Sequence, residues 1–514
     1  MKIQFLTILL ALLCVSQLTA QSKTSLPRST PEEQGVSAAA ISTFLDSIAR
    51  SKHEFQSFML VRHGKVIAEG WWNPYRPDLR HTLYSLSKSF TATAVGFAKA
   101  EGKLKLTDKV ISFFPDKLPD TVTANLKELD VKDLLTMSVG QDPDPTFAVT
   151  QTNDWVKTFL ATPVKYEPGS RFLYNSMATY MLSAIVQKAT GQKVVEYLQP
   201  RLFGPLGISG VDWETDLNGI STGGWGLRLR TEDIAKFAQL FLQKGKWNGK
   251  QILPEGWAEE ASTAHIIQHP QYSQAKRDSS DWEQGYGYQM WRCRHNAFRG
   301  DGAFGQYAIV IPEHDAVMAI TSETMDMQGE LNLIWSILLP AFQKETLKPN
   351  KSADDALAKK LTTLTLPVKK ETMSVKPQAL SCKTFTFDSN SLNLQSMTFD
   401  VKENIYNLGM NIGAEHYSFK LAPNSWEAGE TTLAGPYLLM LATNNLKGLP
   451  PFKVAGEYTW LDANTLEMII RYTESPHTRT ITCRFDGDNV TAVVKRSVLQ
   501  EREGGVVTIT GKKR

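Results

Sequence analysis

The sequence has no excess of either charge, few cysteines and no long apolar run beyond its first twenty residues. Its 514 residues include 56 basic and 53 acidic side chains, which leaves a formal net charge of +3. This balance gives no reason to expect nucleic acid or an anionic membrane surface as a partner. Because a membrane-spanning helix needs about 20 apolar residues in a row, no stable membrane span is expected after the leader. The length predicts about two to four domains.

The first twenty residues follow the order of regions found in a secretory signal peptide. Lys2 supplies a positive start, residues 5–15 are almost wholly apolar, and the small Ala20 precedes Gln21. This order predicts a signal peptide over residues 1–20 and an exported protein that is periplasmic or secreted. A membrane anchor is the alternative, but the apolar run is well short of a bilayer span.

Three cysteines follow the leader, and they have no metal-binding or redox spacing. Cys293, Cys382 and Cys483 lie far apart, and the nine histidines include no His-Glu-x-x-His pattern. We therefore expect neither a metal nor an organic cofactor. An odd number of thiols leaves at least one unpaired, and a disulfide between Cys382 and Cys483 remains an open alternative.

Residues 21–345 are interpreted as one domain that mixes helices and strands. The pattern predicts, in chain order, a hairpin over 57–70 that turns at His63-Gly64, helices over 82–100 and 177–189, a helix with Thr231 as its N-cap, and strands over 307–312 and 316–322. This mixture predicts an α+β fold.

The composition changes near residue 343. Residues 346–378 are rich in Lys, Thr and Pro and are interpreted as a linker with a helical patch over 353–361. Residues 379–514 alternate polar and apolar side chains between turns, which predicts an all-β barrel or sandwich. The clearest strand-like runs are 383–387, 418–421, 466–472, 479–485 and 490–494. No recognisable chemistry accompanies them. Covering a cleft, binding a wall polymer and aiding solubility are the roles considered.

The strongest chemical signal is the sequence Ser85-Leu-Ser-Lys88 at the start of an apolar helix. Residues three apart share a helix face, so the Ser85 hydroxyl and the Lys88 amine are expected to meet. A lysine buried beside a serine has a lowered pKa and can activate the hydroxyl as a nucleophile. A second Ser-x-x-Lys, Ser273 to Lys276, lies in a polar stretch and is interpreted as a solvated loop.

Two further segments are candidates for the same site. Tyr174-Asn175-Ser176 follows a turn and leads into a buried helix, which would aim the phenol into a cleft; the alternative is a packed core tyrosine. Asp301-Gly302-Ala303 precedes a strand, where a glycine lets backbone approach a ligand and the N–H of Ala303 would complete an oxyanion hole. The alternative there is a plain glycine-rich hairpin.

In this order, the three segments resemble the motifs of the serine β-lactamase and penicillin-binding-protein family. The likeness covers roughly residues 30–345 and is greatest to the class C-like branch, which includes esterases, D-aminopeptidases and 6-aminohexanoate-dimer hydrolases. The resemblance implies an antiparallel sheet flanked by helices, an all-helical region and an acyl-enzyme on Ser85. Ser176 replaces the usual motif asparagine, and Asp301 stands near the position where β-lactamases keep a cation, which argues against antibiotic hydrolysis.

The resemblance implies a role for each site residue. Tyr174, with a phenol acidified by Lys88, would take the Ser85 proton directly or through Lys88. The N–H groups of Ser85 and Ala303 would hold the oxyanion, and Asn175 would orient Lys88 or the substrate. His81 is interpreted as a packing or rim residue. Aromatic candidates for the pocket wall are Trp225, Tyr286, Tyr288 and Trp291.

The expected partner is a small ester, amide or peptide substrate. Three alternatives to an esterase stay open. The first is a D-amino-acid peptidase or amidase acting on cell-wall fragments. The second is a catalytically silent binding protein with the same fold. The third is an acyl transferase whose acceptor is not water.

Overall fold

The computed structural model describes residues 25–369, 380–444, 446–449, 451–499 and 505–514. The predicted signal peptide, residues 1–20, lies outside this part of the chain. None of the described helices is both long enough and apolar enough to cross a membrane.

A six-stranded antiparallel sheet is the centre of the first domain. The strands of this domain are β1 Glu54–Arg62, β2 Lys65–Trp71, β3 His81–Thr82, β4 Asp212–Trp213, β5 Leu227–Leu229, β6 Lys246–Trp247, β7 Lys250–Gln251, β8 Trp291–Arg292, β9 Phe298–Gly302, β10 Gln306–Ile311 and β11 Ala316–Glu323. The order in the main sheet is β2-β1-β11-β10-β9-β8. The predicted hairpins around His63-Gly64 and between β10 and β11 are confirmed.

Helices cover both faces of this sheet and form a separate helical region. They are α1 Ala38–Arg50, α2 Ser87–Ala100, α3 Ala124–Glu128, α4 Val131–Leu135, α5 Thr146–Thr150, α6 Trp155–Ala161, α7 Ser176–Thr190, α8 Val194–Leu198, α9 Thr231–Leu242, α10 Trp257–Ser262, α11 Gln274–Asp278, α12 Met327–Leu333 and α13 Lys351–Thr362. The apolar side of α1 packs on one face of the sheet, and α9 packs on the other. This arrangement confirms the predicted α+β class.

The helices that carry the candidate site are buried all round. Both α2 and the first ten residues beyond Ser176 in α7 belong to the core of the helical region, which explains why their apolar positions show little helical periodicity. Helix α7 ends at Gly191, whose φ of 73° suits a left-handed cap. The predicted N-cap at Thr231 was wrong by one residue, since Arg230 is the cap and Asp233 accepts its backbone N–H.

The C-terminal domain is a barrel, which is one of the two all-β forms predicted from the sequence. Its strands are β12 Lys383–Phe387, β13 Leu394–Lys402, β14 Ile405–Ile412, β15 Glu415–Pro423, β16 Glu427–Thr431, β17 Phe452–Asp462, β18 Thr465–Tyr472, β19 Thr478–Asp486, β20 Asn489–Arg496 and β21 Val506–Lys513. Antiparallel neighbours run through the whole sheet, and a short parallel pairing of β15 with β17 closes it. Alternating apolar side chains fill the interior.

The segment between the domains packs on the first domain for part of its length. Helix α13 contains the predicted helical patch and lies against α1, where Leu357 is buried and Lys360 donates to Asp46 over 2.8 Å. Residues 370–379 of the predicted linker lie outside the described part. Cys293, Cys382 and Cys483 are all unpaired thiols, so the disulfide considered between the last two is not formed.

Candidate active site

Ser85 lies on a short 3₁₀ turn, Tyr84–Leu86, between strand β3 and helix α2. Strand β3 pairs with β5, and the N–H of Leu83 continues this pairing by donating to Leu227 over 2.9 Å. The turn is therefore attached to a small three-stranded sheet, with the order β3-β5-β4, on one side and to the buried helix α2 on the other. Ser85 itself is half-buried, so its hydroxyl remains open to a substrate.

Lys88 is buried and makes three short polar contacts. Its Nζ lies 2.9 Å from Ser85 Oγ, 3.0 Å from Ser176 Oγ and 2.7 Å from the carbonyl oxygen of Gly224. Burial lowers the pKa of Lys88 from 10.5 to about 7, although the carboxylates of Asp144 and Asp301 act against this shift. A substantial fraction of neutral amine is thus available near neutral pH to accept the Ser85 proton.

Tyr174 lies beside this pair but is not acidified. Its ring stacks on Trp291 at 5.6 Å, and Lys88 Nζ lies 4.9 Å from its centroid. Burial, with help from the charge of Asp301, raises the pKa of the phenol, and the nearby Ser85 hydroxyl only partly offsets this. The predicted lowering of the phenol pKa is therefore wrong, because the pKa shifts upward. Tyr174 keeps its proton, and Lys88 is the better base.

Asn175 is a helix cap and does not contact Lys88. Its Oδ1 accepts from the N–H groups of Met177 and Ala178 over 2.9 and 3.1 Å, and its amide donates to Gln141 over 2.9 Å. Both lone pairs of the buried Oδ1 are therefore used within the helix cap, so this oxygen is not available to accept from the Lys88 amine. The side chain that contacts Lys88 is that of its neighbour Ser176, and the orienting role expected for Asn175 stays a prediction.

Strand β9 brings the third segment against the nucleophile turn. A Cβ on Gly302 would lie 2.0 Å from the carbonyl oxygen of Leu83, so only glycine permits this approach. Ala303 follows directly and is half-buried beside the turn. Asp301, expected to act as a negative group, is buried and paired with the equally buried Arg299 at 2.8 Å, so its charge is largely compensated.

The remaining sequence candidates fall into two groups. Trp291 and Tyr286 lie against Tyr174, whereas Trp225 and Tyr288 pack elsewhere, on Trp155 and on Trp257 respectively. His81 is a buried packing residue whose Nε2 lies 2.8 Å from the side-chain oxygen of Gln56, and burial lowers its pKa to about 3.

The second Ser-x-x-Lys forms no site. Ser273 caps the short helix α11, which replaces the predicted loop, and no residue of α11 is buried. Lys276 lies over the ring of Tyr272. This segment therefore lacks the pairing of a serine with a buried lysine that Ser85 and Lys88 form.

Sequence reasoning missed several groups of the site. The Gly224 carbonyl and Arg299 gave no signal, because their roles depend on which atoms the fold places opposite them. His477, from the barrel, was also missed: its Nε2 lies 2.6 Å from the Tyr84 hydroxyl. The only indication in the sequence was a histidine in a turn after Ser475-Pro476. That pattern does not identify the residue that the histidine contacts. Within the described residues, no cluster of side chains is arranged to hold a metal ion.

Comparison with known proteins assigns the chain that forms this site to a family. A model of the Beta-lactamase family matches residues 51–339, more than half of the chain. The chain is similar to the 6-aminohexanoate-dimer hydrolase of Paenarthrobacter ureafaciens, with 26% identity over 322 residues, 58% of this chain and 80% of that enzyme. A D-aminopeptidase of Brucella anthropi is 26% identical over 172 residues, which are 30% of this chain and 32% of that enzyme.

A solved structure extends the likeness to the fold. A candidate beta-lactamase from Bacteroides dorei DSM 17855 superposes with a TM-score of 0.50 at 16% identity and covers 59% of this chain and 99% of that one. The resemblance drawn from the three sequence segments, and the β-lactamase-like fold that it implied, are therefore confirmed.

Proposed function

Because this chain belongs to the beta-lactamase family of hydrolases, which act on amide or ester bonds, we propose that it cleaves such a bond through an acyl-enzyme on Ser85. The observation that carries the proposal is the contact of 2.9 Å between Ser85 and a buried Lys88 whose pKa is about 7. A serine hydroxyl needs an adjacent base to become a nucleophile, and a neutral amine at this distance meets that need.

The proposed reaction begins when neutral Lys88 accepts the Ser85 proton and the alkoxide attacks the carbonyl carbon. The N–H groups of Ser85 and Ala303 stabilise the oxyanion of the tetrahedral intermediate. Tyr174 stays protonated and donates a hydrogen bond to the leaving group, to which Lys88 returns the proton. Ser176 and the Gly224 carbonyl hold the amine in place throughout. Water then attacks the acyl-enzyme by the reverse route and frees Ser85.

The proposal includes export, which rests on the residue pattern of the first twenty residues alone. N-terminal sequencing of the protein recovered from the periplasm and the medium tests it. Cleavage after Ala20 is the expected result, and an intact Met1 in a cytoplasmic fraction would contradict export.

Fluorophosphonate labelling tests the nucleophile. Wild type, Ser85→Ala and Ser273→Ala are each labelled, then examined by intact mass and peptide mapping. One adduct on Ser85 in the wild type and in Ser273→Ala, with none in Ser85→Ala, is expected. Folded wild type without an adduct would favour a silent binding protein, and an adduct on Ser273 would refute the choice of motif.

The second candidate is a D-amino-acid peptidase or amidase that acts on substrates with a free amine. Asp144 favours it, since its carboxylate lies close enough to Lys88 to raise the pKa of that amine and would attract the ammonium group of a substrate. Both relatives have names that point to amide substrates. Paired amides and esters, each with a free and an acetylated amine, distinguish the candidates. A preference for the free amine that Asp144→Asn removes would support the amidase.

A further inference from the structure

His477 lies at the junction of the barrel and the hydrolase domain, in the turn between β18 and β19, and it is completely buried. Its Nδ1 lies 2.7 Å from a carboxylate oxygen of Glu323, at the end of β11, and its Nε2 lies 2.6 Å from the hydroxyl of Tyr84. A carboxylate can only accept a hydrogen bond. A neutral imidazole here therefore carries its hydrogen on Nδ1, which donates to Glu323, and its Nε2 accepts a hydrogen bond from the Tyr84 hydroxyl. The ring thus connects the main sheet to the residue before the nucleophile.

The same imidazole also packs on Phe304, in the turn between β9 and β10. The ring of Phe304 stands perpendicular to it at a centroid distance of 4.7 Å, and Phe304 and Tyr84 pack on each other at 5.5 Å. Phe304 directly follows Ala303. One side chain from the barrel therefore contacts the two residues that adjoin Ser85 and Ala303, the two proposed oxyanion donors.

Both of these neighbours have a left-handed backbone that favours glycine. Tyr84 has a φ of 48° and Phe304 a φ of 70°. A bulky side chain adopts this conformation only when its surroundings impose it, and such strain often accompanies a functional site. Here each strained residue has its ring held against His477, which supplies the restraint from a different domain.

We propose that His477 is a positioning residue for the oxyanion hole: by holding Tyr84 and Phe304 it sets the separation of the Ser85 and Ala303 N–H groups. The inference rests on the proposed function of Ser85 and extends it to the barrel. The C-terminal domain then contributes to hydrolysis by holding the residues next to the two oxyanion donors.

Docking of the barrel does not depend on His477 alone. The buried guanidinium of Arg471 in β18 makes two hydrogen bonds to Glu54 in β1, of 2.6 and 3.2 Å, and the backbone N–H of Thr82 donates to the Glu474 carbonyl. A substitution at His477 should therefore leave the domains together. Arg471→Met weakens the same interface without touching Tyr84 or Phe304, which makes it the matched control.

The test uses the full chain and a nitrophenyl ester, with a boronic acid as the tetrahedral probe. His477→Ala removes the ring, His477→Gln keeps an acceptor for Tyr84, and Tyr84→Phe removes only the hydroxyl. Losing an oxyanion donor outright lowers kcat about 10²–10³-fold, so a displaced donor in His477→Ala should lower it about 10- to 100-fold. The boronic acid should lose affinity in parallel, while KM changes little. His477→Gln should recover part of both losses, and Tyr84→Phe should lose less than His477→Ala.

Four outcomes would overturn the inference. They are an unchanged kcat in His477→Ala, a loss that lies in KM alone, a boronic acid affinity that does not follow kcat, and an equal loss in Arg471→Met. A melting temperature measured for each variant identifies unfolding, in which case His477→Gln and Tyr84→Phe decide the question. Failure of the proposed function is recognised separately, because the wild type would then form no fluorophosphonate adduct on Ser85.

Discussion

The two domains meet at the Ser85 turn and act on it in different ways. The hydrolase domain holds the reactive groups directly, through contacts of Lys88 with Ser85, Ser176 and Gly224 that are all 3.0 Å or shorter. The barrel domain contacts the same turn through Tyr84, whose hydroxyl lies 2.6 Å from His477 Nε2 and whose ring stacks on Tyr437. The two proposals thus assign chemistry to one domain and positioning to the other, and a variant of each domain should fail in a different measurable way.

The largest expected effect is that of Lys88→Met, which removes the base from the hydrolase domain. A positioned general base contributes about 10²–10⁴-fold, so kcat/KM should fall by that amount. Because the substitution also removes a buried amine that resists being charged, the melting temperature should not fall. Lys276→Met, in the exposed second motif, is the control and should leave steady-state kinetics unchanged. A comparable loss there, or an active Lys88→Met, would undo the assignment of the base.

The pH dependence of kcat/KM sharpens the comparison of the two domains, because it reports the protonation of Lys88 in the hydrolase domain. Burial lowers its pKa to about 7, so the active neutral form is lost as the pH falls through that value. Below it, kcat/KM should drop about tenfold per pH unit, with a plateau above it. Asp144 raises this pKa, so Asp144→Asn should move the profile to lower pH. A rise that begins only near the ordinary value for lysine would contradict a depressed pKa.

The smallest expected effect lies at the domain interface, in the stability of Glu214→Gln. Glu214 is buried and accepts hydrogen bonds from Tyr437 and Asn444 of the barrel over 2.8 and 2.6 Å. Burial raises its pKa from 4.5 to about 7, so the folded chain binds a proton that the unfolded chain releases. The stability from this proton is complete below the unfolded value and is lost as the pH rises through the folded one.

Glutamine stays neutral at every pH, whereas the Glu214 carboxyl loses its proton as the pH rises through about 7. Glu214→Gln should therefore melt a few degrees above wild type at about pH 8 and level with it at about pH 5. Thermal melting at both pH values measures the difference. An equal shift at the two pH values would show that packing, and not the carboxyl proton, is responsible.

Much of the fold and part of the site could be predicted from local patterns. The hairpin at His63-Gly64, helices α2 and α7, and the alternation of the C-terminal strands all depend on spacings of a few residues. The pairing of Ser85 with Lys88 is of the same kind, because a single helical turn brings the two side chains together. The family resemblance rested on three such segments and their order.

Other features followed from packing that no local pattern records. Asn175 occupies a motif-like position and was predicted to be a site residue, yet its side-chain oxygen caps the start of α7 and its amide nitrogen donates to Gln141. The phenol of Tyr174 was expected to be acidified, but enclosure beside Asp301 shifts its pKa upward. In both cases the residue type was informative and the environment decided its role.

What the sequence by itself determined is the identity and order of the reactive groups, because each of the three segments that carry them is only a few residues long. The tertiary structure alone decided how strongly Lys88 is desolvated, which atoms receive its hydrogen bonds and which domain holds the nucleophile turn. Tyr84 and His477 are 393 residues apart in the chain and 2.6 Å apart in space. Burial and long-range hydrogen bonds arise only when distant segments pack, and they set the pKa values and distances on which catalysis depends.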